Sequence, residues 1–74
     1  MKVTMEFNLP DEEVEFNMSV NGKKMHCVLW EMDQWLRSNT KYAPDNMSED
    51  TYSAYENCRE KLRELMMEEN ISFD

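Results

Sequence analysis

Apolar and polar residues alternate at the start of the chain. Val3, Met5, Phe7 and Leu9 take every second position, with Lys, Thr, Glu and Asn between them. A period of two residues is typical of a strand that buries one of its faces. The pattern therefore predicts an N-terminal strand.

The following segment, residues 11–20, fits two kinds of element. The alternation continues through four more apolar residues, Val14, Phe16, Met18 and Val20, and this favours a second strand. Alternatively, Pro10 followed by three acidic residues is typical of the start of a helix. Pro fits the first turn, and acidic side chains are stabilised at the positive end of the helix dipole. Both readings stay open, and Asn21-Gly22 closes either element as a helix C-cap or as a turn.

Two long amphipathic helices are predicted next. The first covers roughly 24–40, and its apolar residues recur at spacings of three and four: Met25, Val28, Leu29, Met32 and Leu36, with Trp35 widening the stripe. Residues 43–47 break the pattern, and Ser48 is a suitable N-cap for a second helix from about 49 to 69, which Asn70 ends. Its apolar stripe comprises Tyr52, Tyr55, Cys58, Leu62, Leu65 and Met66.

The two stripes can bury each other in an antiparallel helical hairpin with the N-terminal element laid across it. We therefore expect one small domain over 1–74, of the α+β class and mainly helical. A chain of 74 residues encloses a small core, and oligomerisation is a common remedy. A homo-oligomer, and first of all a dimer, is expected.

Charge and composition narrow the function. With 16 acidic residues against 8 basic ones, the net charge is −8, so direct nucleic-acid binding by phosphate neutralisation is not expected. We find neither an apolar run of membrane-spanning length nor a signal-peptide pattern, which predicts a cytoplasmic protein without membrane contact. Cys27 and Cys58 lack the spacing of a disulfide framework or a metal site and are expected to be free thiols.

One face of the first long helix is a candidate protein-interaction site. At 100° per residue, five side chains lie away from the apolar stripe: Lys23, His26, Trp30, Asp33 and Arg37. Trp and Arg are the residues that most often dominate binding interfaces. Alternatively, Trp30 packs under the N-terminal element while Asp33 and Arg37 form an ordinary ion pair.

The second long helix carries an acidic ridge, formed by Glu49, Glu56, Glu60, Glu64 and Glu68. Such a ridge is usually a solvated face, compensated here by Arg59, Lys61 and Arg63 nearby. Alternatively, it imitates a row of phosphates and occupies a basic nucleic-acid-binding groove on a partner.

Catalysis finds little support in the sequence. His26 has no Cys or Ser partner placed for nucleophilic catalysis, and a single glycine, Gly22, cannot form a phosphate-binding loop. His26 with Cys27 or Asp33 does not reproduce the spacing of metal ligands. We expect no enzymatic activity, no cofactor and no metal.

Several runs of the chain resemble small acidic accessory proteins of tailed bacteriophages. They are FNLPDEE at 7–13, Asn21-Gly22, VLWEMDQWLR at 28–37, Lys41-Tyr42 and YENCREKL at 55–62. The resemblance implies the cytoplasm of an infected bacterium as the setting, and it implies no established activity or site. In that group the segment after the Pro is more helix-friendly than residues 15–20 are here.

The sequence as a whole predicts a non-enzymatic phage accessory protein that binds and modulates or inhibits a host protein. It would do so through the Trp30 face, or through the acidic ridge as a nucleic-acid mimic. One alternative is an oligomeric sponge for an anionic small molecule such as a nucleotide signal, held by Lys23, Lys24 and Arg37 with aromatic stacking. Another is a minor structural or assembly component of the phage particle.

Overall fold

The computed structural model describes residues 1–73 and consists of three helices in a row. They are α1 (Glu13–Val20), α2 (Gly22–Lys41) and α3 (Glu49–Glu68). No strand occurs in residues 1–73, so the prediction of an N-terminal strand, and with it the α+β class, is wrong. The fold is mainly helical, as expected, and residues 13–20 are a helix rather than a second strand.

The predicted N-terminal strand does not form because no second strand lies beside it within residues 1–73. A strand needs a second strand to take up its backbone N–H and C=O groups, and the only candidate became α1. Instead the chain turns at residues 9–12. The Asn8 N–H donates to the Glu12 carboxylate (3.0 Å), and the Glu12 N–H donates to the Asn8 carbonyl (2.8 Å).

Residues 1–20, which we call the N-terminal arm, bury little apolar surface. All eight residues of α1 are exposed, because the apolar residues alternate and fall on more than one side of the helix. The Phe7 and Phe16 rings meet edge to face at 5.6 Å. Asn21 ends α1 and starts α2: its N–H donates to the Asn17 carbonyl, and its carbonyl accepts from the Met25 N–H.

The helices α2 and α3 form an antiparallel hairpin. The sequence separation of contacting residues grows toward the start of α2, from Trp35–Tyr55 (ring centroids 6.0 Å apart) through Asp33–Arg63 to His26–Phe73. Ser48 is the N-cap of α3, as predicted, and its hydroxyl oxygen accepts from the Thr51 N–H at 3.2 Å.

The end of α3 sends the chain back toward α2. Asn70 has a φ of 56°, the left-handed conformation that Asn tolerates better than most residues. The Ile71 N–H donates to the Met66 carbonyl (2.8 Å) and the Asn70 N–H to the Met67 carbonyl (3.1 Å). These two bonds are those of a Schellman motif, and they support the predicted stop at Asn70.

The core of the chain is very small. Of the large apolar residues within 1–73, only Leu36 and Met66 are buried. Four residues of the predicted α2 stripe are exposed instead: Met25, Val28, Met32 and Trp35. The side of α2 that faces α3 is rotated relative to that stripe, and it presents His26, Leu29, Asp33, Leu36 and Thr40, none of which is exposed.

The molecule is accordingly elongated. It measures 55 × 28 × 19 Å, with a radius of gyration of 17.5 Å, where about 11 Å is typical of a compact domain of this length.

Candidate protein-binding surface

A buried carboxylate joins the two long helices. Asp33 on α2 is 0% exposed and accepts a bidentate pair of hydrogen bonds from each of two arginines on α3. Arg59 donates from Nε and Nη2 at 3.1 and 3.3 Å, and Arg63 donates from the same atoms at 3.1 and 2.9 Å. The Gln34 amide donates a further hydrogen bond to Asp33 at 3.3 Å. We call Asp33, Arg59 and Arg63 the ionic clamp.

The clamp stabilises the charged forms of Asp33 and Arg63. Burial by itself raises the pKa of Asp33, but hydrogen bonds from Arg63 and Arg59, together with their positive charges, outweigh it and lower that pKa below its ordinary value. The hydrogen bond to Asp33 likewise raises the pKa of Arg63. A single carboxylate thus holds two cations that would otherwise repel each other.

The predicted interaction face is therefore divided. Asp33 points into the hairpin and pairs with α3, not with Arg37, so placing it on an outward face was wrong. His26 is half-buried, and its Nε2 donates to the Ser72 carbonyl at 2.7 Å. Lys23, Trp30 and Arg37 are exposed on one side of α2.

The residues after α3 build a cleft beside Trp30. The Phe73 ring packs edge to face on His26, with centroids 5.8 Å apart, and the Arg63 guanidinium carbon lies 5.6 Å from the Phe73 centroid. The resulting cleft, of about 680 Å³, lies between α2, α3 and this tail. Its lining residues are Trp30, Gln34, Arg63, Met66, Met67, Asn70, Ile71, Ser72 and Phe73. We call it the Trp30 cleft.

The Trp30 cleft has a mixed lining of five apolar residues, three uncharged polar residues and one cation. Trp30 is 48% exposed, so a large part of the indole is open to contact. Among the described residues that line the cleft, Arg63 is the only one with an ionisable side chain. Such a lining suits an apolar group with an acceptor or acid beside it.

The acidic ridge is exposed along its whole length. All five glutamates are exposed, and Lys61 lies 3.4 Å from the Glu64 carboxylate. Arg59 and Arg63, which were expected to compensate the ridge, are committed to Asp33. A shallow depression of about 260 Å³, lined by Glu56, Arg59, Glu60 and Arg63, connects the ridge with the clamp.

Sequence reasoning missed the clamp and the tail. Arg59 and Arg63 are four residues apart, so they lie on the same side of α3. This is the side on which the helical spacing also places Tyr55, Leu62 and Met66, and it faces α2. The apolar residues Ile71 and Phe73 after a helix stop were a signal for the tail, since a Schellman motif is often joined by an apolar contact of this kind.

Neither family models, curated proteins nor solved structures yielded a match to this chain. In residues 1–73, no cluster of three or more side chains is arranged to hold a metal ion. None of the helices described there has the length and apolar character needed to cross a membrane. Cys27 and Cys58 are free and exposed.

Proposed function

We propose that the protein is a non-enzymatic interaction protein whose Trp30 cleft binds an apolar segment of a partner protein. The observation that carries this proposal is the half-exposed indole of Trp30, which lies in a cleft together with Met66, Met67, Ile71 and Phe73. A volume of about 680 Å³ is within the range of small-ligand pockets, roughly 300–1,000 Å³, and accommodates one or two large side chains.

The walls of the cleft are held in place, which favours binding. The clamp fixes Arg63, the Schellman motif fixes the direction of the tail, and the His26–Ser72 hydrogen bond ties the tail to α2. A site that is formed before binding loses less conformational entropy when a partner enters it.

The resemblance to phage accessory proteins supports a host protein as the partner, which this protein would modulate or inhibit. The test is affinity capture from bacterial lysate with Trp30→Ala and a control aromatic substitution, Tyr42→Ala. Tyr42 follows α2 directly, is 72% exposed against 48% for Trp30, and does not line the cleft. We expect Trp30→Ala to weaken capture of a specific protein by about 30-fold or more, as for an interface hot spot.

Capture that Tyr42→Ala weakens as much as Trp30→Ala does would contradict the cleft as the contact. So would capture that both variants leave intact. Circular dichroism of each variant checks that the helices are retained.

The acidic ridge supports a second candidate function, mimicry of nucleic acid. The observation in its favour is that its two neighbouring arginines bind Asp33 and not the ridge glutamates. A ridge contact predicts capture that falls steeply with added salt and is lost when Glu56, Glu60 and Glu64 are changed to Lys. Capture that resists salt and these changes would eliminate the mimic.

A further inference from the structure

The chain exposes more surface than a folded protein of its mass ordinarily does. Its accessible surface is 6735 Å², whereas a compact monomer of this mass is expected to expose about 4,900 Å². The excess is about 1,800 Å² per chain, within the range of roughly 1,000–2,500 Å² that each subunit of an obligate homodimer buries.

Part of this surface is a continuous apolar face on the hairpin. On α2, positions 25, 28, 32 and 35 lie on one side, away from the Trp30 cleft, and all four side chains are about half exposed or more. On α3, positions 58 and 65 flank them on the same side of the hairpin and are also exposed. We call this set the α2–α3 apolar face: Met25, Val28, Met32, Trp35, Cys58 and Leu65.

We propose that the α2–α3 apolar face is covered by a second copy of this chain, so that the protein is a homodimer. Two buried apolar residues, Leu36 and Met66, are too few to stabilise a domain of this size without further burial. A pair of hairpins joined through these faces encloses a shared core of Met, Val, Leu and Trp side chains.

Charge favours this face as the place where two copies meet. A twofold contact brings the same patch of each chain together, and chains with a net charge of −8 repel each other wherever acidic surface meets acidic surface. The four α2 positions of the face are uncharged, and the acidic ridge lies on a different side of α3. Dimerisation there leaves the Trp30 cleft open, so the inference does not depend on the proposed function.

The first test is sedimentation equilibrium of the purified protein. We expect a mass twice the 9.0 kDa of one chain. Met32→Glu should raise the dissociation constant about 100-fold, because it buries an unpaired charge in the contact. The matched control is Met67→Glu on the cleft side, which changes an even more exposed methionine (77%) and should leave the dimer intact.

The two cysteines give a second test that does not require a disruptive substitution. Cys58 lies in the face, whereas Cys27 lies on α2 about 120° from its centre. The variant Cys27→Ser keeps only the Cys58 thiol, and Cys58→Ser keeps only the Cys27 thiol. At high protein concentration, the Cys58 thiol should react with Ellman's reagent about tenfold more slowly than the Cys27 thiol. The difference should shrink on dilution.

A monomeric mass at every concentration would overturn the proposal. Equal reactivity of the two thiols in a dimer would also overturn it, since the contact would then lie elsewhere. Should Met32→Glu fail to fold, the thiol rates still decide the question.

Discussion

The hairpin and the N-terminal arm contain similar kinds of residue and organise them very differently. The arm carries nine large apolar residues and leaves all but one exposed: Phe7 is half-buried. The hairpin also exposes many apolar residues, yet the ionic clamp joins its two helices and the tail after α3 returns to α2. A side-chain cap fixes the start of α3. An apolar residue is buried only where a second element is positioned to cover it, and directional contacts position that element here.

Among the substitutions considered, a change in the ionic clamp should lower the stability of the hairpin most. Asp33→Asn removes the charge that holds Arg59 and Arg63 together and leaves two adjacent cations. Breaking a buried ion pair costs ~3–5 kcal/mol, and because Arg63 is half exposed we expect about 2–3 kcal/mol of lost stability. Urea unfolding followed by circular dichroism measures it.

The control is Asp11→Asn, an exposed acid of the arm, which should change stability by less than about 0.5 kcal/mol. Similar losses in the two variants would show that the clamp is no more important than surface charge.

Acid should weaken the hairpin through the same carboxylate. The pKa of Asp33 is lower in the folded chain than its ordinary value of 3.8. The unfolded chain therefore takes up this proton first as the pH falls. The stabilisation by Asp33 is complete above its unfolded pKa and is lost as the pH drops through the folded one.

Measuring the pH dependence of stability in both the original protein and Asp33→Asn separates the contribution of Asp33 from that of the other acidic residues. The stability difference between the two proteins should be constant near neutral pH and narrow below pH 3.8. A difference that stays the same into strong acid would contradict the assignment.

Loss of the α3 cap should have an intermediate effect. Ser48→Ala removes the acceptor for the Thr51 N–H and should cost about 1 kcal/mol. Ser48→Asp restores a cap and should recover most of that loss in thermal unfolding. Equal stability of the Ala and Asp variants would mean that the cap contributes nothing measurable.

The smallest effect is expected in the arm. Met5→Ser changes a residue that is largely exposed, and stability should stay within about 0.5 kcal/mol of the original. A loss above about 2 kcal/mol would mean that the arm is buried in the assembled protein. Differential scanning calorimetry of both proteins at equal concentration makes this comparison.

The two long helices could be predicted from sequence because spacing, caps and stop signals act locally. Ser48 and Asn70 mark α3 by their own backbone preferences. The arm could not be predicted in the same way, since alternation from Val3 to Leu9 describes a strand only if another strand is present. A two-residue period shows only which face of a strand would be apolar. Whether the backbone of that strand finds a hydrogen-bonding partner depends on the rest of the chain.

The candidate site was predicted in part for a similar reason. The exposure of Trp30 follows from helical spacing on α2 alone. The burial of Asp33 depends on two arginines that lie 26 and 30 residues away, and on a rotation of α2 that brings Asp33 toward α3 in place of Met32. The spacing of Arg59 and Arg63 places both on the side of α3 that faces α2, but spacing within one helix does not identify the carboxylate on the other helix with which they pair.

The clamp also bears on how this chain can diverge. A bidentate guanidinium–carboxylate pair tolerates little displacement, so three side chains fix the register of α2 against α3, and a slide of one turn, about 5.4 Å, would break it. The hairpin itself then places few demands on the exposed positions of the cleft and the ridge. Its geometry constrains Asp33, Arg59 and Arg63 jointly, so a change at one of the three is compatible with the fold only if the other two change with it.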